Sequence, residues 1–126
     1  MYAAAIPFYY FMFELDHVAI PCADISASVA FYVEGFGAQV LYKDDTWAFL
    51  KLGQGKIALV TPTQHPPHFA LRLDEATLDR VAQNVNKPID SHRDGTKGIY
   101  INDLDGNVVE LICYPPGETF YDASSG

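Results

Sequence analysis

The chain has 126 residues, enough for one domain with a substantial core or two small modules sharing one, and too few for a second independent domain. Sixteen acidic residues against eight basic ones give a formal charge of -8, which excludes extended contact with nucleic acid or an anionic membrane because like charges would meet. Small molecules and other proteins remain as partners.

Residues 1–11 are apolar throughout but lack the basic flank and small-residue cleavage site of a secretory signal. They are also too short to span a bilayer, which takes ~20 apolar residues. Two readings stand: an extension ahead of a start at Met12, or an apolar arm buried at a subunit contact. Cys22 and Cys113 each sit in an apolar run with no CxxC spacing, so both are expected to be buried free thiols in a cytoplasmic protein.

Leu15 to Pro21 alternates like a half-buried strand with Leu15, His17 and Ala19 on one face. Asp24 or Ser26 can cap a helix in which Ile25, Val29, Tyr32 and Val33 form the apolar stripe, with Gly35 and Gly37 as the stop. Three short strands follow: 38–43, 46–52 after the Asp44-Asp45 turn, and 56–61 after Gly53-Gln54-Gly55. Pro62, Pro66 and Pro67 then mark a connector.

The second half repeats the first. His68 to Leu73 reads as a strand and Glu75 to Val85 as a helix with Leu78, Val81 and Val85 on its stripe. Strands over 89–93, 98–102 and 107–114 complete it, the last following the turn Asp103-Leu104-Asp105-Gly106. The expected fold class is therefore α+β, two βαβββ modules in tandem (12–61 and 68–115) related by a pseudo-two-fold axis and forming a curved mixed-sheet cleft. Residues 1–11 and 116–126 flank a single domain over 12–115.

Glu110 lies among apolar residues of the last strand, which contains no Lys or Arg to balance it. An ionised carboxylate buried there needs a positive partner. A metal ion supplies one, and histidines hold the same position at the head of each half: His17 and His68. Two imidazoles and a carboxylate make a facial set with open positions, suited to Fe(II), Mn(II), Zn(II), Ni(II) or Co(II). Strand alternation adds Ala19, Ala70, Arg72, Val108 and Ile112 to the same faces.

Further candidates are Tyr100, as an acid or hydrogen-bond donor to substrate; Trp47 and Phe49, as pocket wall; and Arg72 and Arg93, as contacts for an anionic group. His92 is a candidate for acid-base work and is expected to be solvated in its loop, and His65 is expected to be exposed.

Leu15-Asp16-His17-Val18-Ala19-Ile20, the helix segment Ser28-Val29-Ala30-Phe31-Tyr32 with Gly35-Phe36-Gly37, and Asp103-Leu104-Asp105-Gly106-Asn107-Val108-Val109-Glu110-Leu111 together resemble the vicinal oxygen chelate superfamily. That group includes glyoxalase I, extradiol dioxygenases, methylmalonyl-CoA epimerase, fosfomycin-resistance transferases and bleomycin-binding proteins. The resemblance covers residues 12–115, with Leu104 in place of the proline usual in the turn. It implies a homodimer, a small-molecule substrate chelated through vicinal oxygens, and a divalent metal on His17, His68 and Glu110.

Several departures shape the expectation. Leu59 is aligned with the fourth ligand of glyoxalase I, normally Glu; Ala19 replaces the transferases' Thr; and no arginine follows the final strand. Arg93, Gly95 and Tyr100 fall in the region of the transferases' cation-binding loop. The function implied is a metal-dependent lyase, isomerase, dioxygenase or transferase; the alternative is a sequestering protein of the bleomycin-resistance type.

Overall fold

The computed structural model describes residues 13–92 and 94–116; the N-terminal apolar stretch, Arg93 and the tail from 117 lie outside the described residues. Among the described residues, eight strands and two helices follow in the order β1 (Glu14–Pro21), α1 (Ile25–Phe36), β2 (Gln39–Lys43), β3 (Trp47–Leu52), β4 (Gly55–Val60), β5 (His68–Arg72), α2 (Glu75–Val85), β6 (Asp90–Ser91), β7 (Lys97–Asn102) and β8 (Val108–Cys113). The fold is α+β with βαβββ written twice, and the strand orders match: β2-β3-β4-β1 in the first copy and β6-β7-β8-β5 in the second. Two compact units result, one from Asp16 to Phe69 and one from Ala70 onward that also takes in the start of β1.

In the first unit, α1 begins at Asp24, whose carboxylate accepts from the Ala27 amide at 3.0 Å. It ends at Gly37, whose φ of 73° lets its N–H reach back to the last carbonyls. Ile25 and Val29 are buried against Ala38, Ala48, Leu50 and Leu59, each such side chain contributing about 1.5–3 kcal/mol. The apolar stripe is narrower than expected: Tyr32 is half-buried, and Val33 turns outward beside the exposed Phe36.

β1 pairs in parallel with β4, Ala19 opposite Ala58, and β3 runs antiparallel to β4, Phe49 also opposite Ala58. Because side chains alternate, Ile20, Ala48, Leu50 and Leu59 turn toward α1, whereas His17, Phe49 and Ala58 occupy the other face.

In the second unit, α2 buries Thr77, Leu78 and Ala82, while Val81 and Val85 at the stripe's edge are half-buried. β7 and β8 pair antiparallel with Tyr100 opposite Glu110. Asp103 closes their turn, accepting from the amides of Asp105 and Asn107 at 2.9 and 2.8 Å, and Gly106 adopts φ 86°. β6 is only two residues long, shorter than the expected 89–93. His92 leaves the ladder because its amide donates to the Thr96 carbonyl at 2.8 Å.

Candidate functional site

His17 and His68 meet within the first unit, their ring centroids 5.7 Å apart and their planes inclined at 72°. Both are buried. Although His68 heads the second repeat in sequence, its contacts group it with the first unit.

The tautomers of both rings follow from their partners. His68 Nδ1 lies 2.7 Å from the Pro66 carbonyl oxygen, which can only accept, so Nδ1 carries the proton and Nε2 the lone pair. His17 Nδ1 lies 2.7 Å from Asp16 Oδ2, a buried carboxylate that imposes the same tautomer. An imidazole whose Nδ1–H is held by a carboxylate or carbonyl is oriented to offer Nε2 to a metal. The donor chemistry of this pair therefore fits a divalent ion.

Phe49 meets His17 edge to face, centroids 5.2 Å apart at 89°, and is 2 % exposed. Trp47 lies 5.8 Å from Phe49 and stacks on Tyr42 at 4.7 Å. The two aromatics expected as pocket wall thus form one face with His17. Lys56 lies over the Phe49 ring at 5.8 Å.

In the second unit, Glu110 is 5 % exposed on β8. Gly98 faces it closely: a Cβ there would stand 3.5 Å from Glu110 Oε2, and only 2.8 Å from the Leu111 carbonyl oxygen. Tyr100 is half-buried, and burial followed by the charges of Glu110 and Asp90 pushes its pKa above the ordinary tyrosine value. It is a neutral O–H donor at physiological pH.

Arg72 stacks over the Tyr114 ring at 4.1 Å and lines an open cleft of about 550 Å³ with Glu14, Asp74, Glu75 and Cys113. Its surroundings are largely acidic. Cys113 is a buried free thiol whose pKa burial raises, whereas Cys22 is only half-buried. His65 is exposed as expected.

Residues 14–111 match the family described as the Glyoxalase/Bleomycin resistance protein/Dioxygenase superfamily. The chain belongs to that superfamily. Metallothiol transferase FosB of Staphylococcus epidermidis is 27% identical over 113 residues, spanning 78% of this chain and 80% of FosB. Among solved structures, hypothetical protein BH1468 from Bacillus halodurans superposes with TM-score 0.67 at 20% identity, covering 84% of this chain and 97% of its own. Methylmalonyl-CoA epimerase from Mycobacterium tuberculosis gives 0.66 at 16% identity, with 89% and 91% coverage. These superpositions establish the shared fold.

Within the superfamily's glyoxalase I pattern, the β4 register moves the fourth-ligand comparison. Leu59 is 1 % exposed in the core under α1 and points away from His17. The β4 residues on His17's face are Lys56, Ala58 and Val60. None is a carboxylate, so this strand offers no acidic side chain to His17's face on either alignment.

Asp16 and the Pro66 carbonyl, which orient the histidines, were not among the residues expected from the sequence. Asp16 had a visible signal, adjacency to His17. The carbonyl had none, because it is backbone brought into place by the connector.

Proposed function

We propose that this chain is a divalent-metal enzyme that binds a small substrate through two adjacent oxygens, with His17, His68 and Glu110 as the protein ligands. The observation carrying the proposal is the paired tautomer: both imidazoles spend Nδ1–H on an acceptor and keep Nε2 as a lone-pair donor. A buried Glu110 supplies the negative charge such an ion requires. Superfamily membership and the likeness to a metallothiol transferase support the same reading.

When bound, the ion would act as a Lewis acid that polarises the chelated oxygens. The protein's own contribution is environment and orientation. Asp16 holds the His17 ring, Phe49 packs its edge and excludes water, and Trp47 extends the apolar wall. Tyr100 stays protonated and donates to an oxygen of the substrate. With Lys56, Ala58 and Val60 on β4, proton transfer by a second ligand carboxylate on that strand is not available. The donor set serves isomerase, lyase, dioxygenase and transferase chemistry alike, and substrate selection falls to the pocket wall. Arg93 is proposed as a contact for an anionic group on the substrate; Arg72, stacked on Tyr114 among Glu14, Asp74 and Glu75, is not suited to that role. The proposed assembly is the homodimer of the resembling family, acting in the cytoplasm; no helix among the described residues is long and apolar enough to cross a membrane.

Metal analysis of protein purified without chelators or a His-tag tests the proposal. Near-stoichiometric metal is expected in the wild type and its loss in both His68→Ala and Glu110→Ala. Asp16→Ala should weaken metal affinity ~10–100-fold while leaving the ligands intact. Substoichiometric metal in the wild type, unchanged by the variants, would reject the enzyme reading and favour a metal-free sequestering protein.

A further inference from the structure

His92 stands at the other side of Gly98 from the strand that carries Glu110. The Cβ position at Gly98 lies 3.8 Å from His92 Cε1 and 3.5 Å from Glu110 Oε2, so the imidazole and the carboxylate approach the same hydrogen of one glycine. Any larger residue at 98 would fill the space between them.

The ring is fixed by a relay within its own loop. Thr96 Oγ1 lies 2.7 Å from Asp94 Oδ1 and 2.8 Å from His92 Nδ1. A threonine hydroxyl has one proton, and the charge-assisted bond to the carboxylate claims it. The hydroxyl oxygen must then accept from His92 Nδ1–H, which leaves the lone pair on Nε2. Asp94 is anchored in turn by the Thr96 amide at 2.9 Å, and the loop is closed by the His92 amide on the Thr96 carbonyl at 2.8 Å. The relay therefore leaves the acceptor lone pair on Nε2 of an exposed ring whose Cε1 shares the Gly98 hydrogen with Glu110 Oε2.

We propose that His92 is a specificity-determining residue whose Nε2 accepts a hydrogen bond from an O–H or N–H group next to the chelating oxygens of the substrate. The assignment rests on the metal reading for the ligand that arrives at Glu110. It deepens that reading by naming a substrate class: compounds with two adjacent oxygens and a hydrogen-bond donor next to them, in preference to analogues in which that donor is methylated.

The test uses the zinc-loaded full chain and acetohydroxamic acid, which offers two vicinal oxygens and an N–H, against its N-methyl analogue. Long-range ¹H–¹⁵N spectra of the wild type should show His92 as the Nδ1–H tautomer, with its Nε2 resonance moving when acetohydroxamic acid is added. His92→Ala should weaken acetohydroxamic acid about 3- to 10-fold, the loss of one hydrogen bond, with zinc affinity and N-methyl analogue affinity unchanged. His92→Gln, which retains an acceptor, should recover part of the loss, and Thr96→Val should release the tautomer. Equal affinity for acetohydroxamic acid in the wild type and His92→Ala, or an Nε2–H tautomer, overturns the assignment while leaving the metal site standing. Failure of the wild type to hold any of zinc, iron(II), manganese, nickel or cobalt overturns both.

Discussion

Gly98 shows how one residue's missing side chain sets the site. The second unit brings the Leu111 carbonyl within 2.8 Å of where a Cβ would stand, and backbone cannot yield as a flexible side chain can. Gly98→Ala is therefore expected to destabilise the fold by ~1–3 kcal/mol, as overpacking does, and to shift Glu110. Urea denaturation measures the first effect and metal titration the second. A variant that loses stability but holds metal with wild-type affinity would separate Gly98 from the site. Conventional motif reading passes over this glycine because nothing in Thr96-Lys97-Gly98-Ile99 marks it. The histidines and Glu110, in contrast, were legible because unusual residue types stood at repeated or apolar positions.

Among the elements, the β2–β3 hairpin depends on Asp44. Its carboxylate accepts from the Tyr42 hydroxyl at 2.6 Å, the Thr46 amide at 2.8 Å and the Trp47 amide at 3.0 Å. Desolvation raises its pKa, but these bonds together outweigh it and lower the value from 3.8 to about 2. A depressed carboxylate pKa contributes stability above the unfolded value that is lost as pH falls through the folded one. The wild-type hairpin should thus weaken between about pH 4 and pH 2, by no more than ~1 kcal/mol because solvent screens so exposed a group. Asp44→Asn should flatten that part of the pH–stability curve, as read by thermal melts across the window; an unchanged slope would show that other carboxylates carry it. Element positions were largely legible, since caps and turn residues act locally: α2 spans Glu75–Val85 as expected, and Asp24 and Gly37 bound α1. β6 was overestimated because its length is decided by where Thr96 folds back, a contact with no local signal.

For the whole molecule, metal binding should appear as stability. A ligand present at 100 times its Kd and bound only by the native state adds about 2.7 kcal/mol. Added zinc or cobalt should raise the melting temperature of chelator-treated protein by several degrees, and His68→Ala should abolish the rise. A shift that persists in His68→Ala would place the ion elsewhere. The sequence by itself determined the doubled βαβββ order, the helix limits and the three candidate ligands, because periodicity, capping and internal repetition are carried by near neighbours along the chain. Only the tertiary structure decided which nitrogen His68 and His92 offer, since the Pro66 carbonyl and the Thr96 hydroxyl are set by folded loops. Pairing register likewise turned Leu59 into the core and left Ala58 on the face of His17, because a shift of one residue along a strand exchanges its two faces.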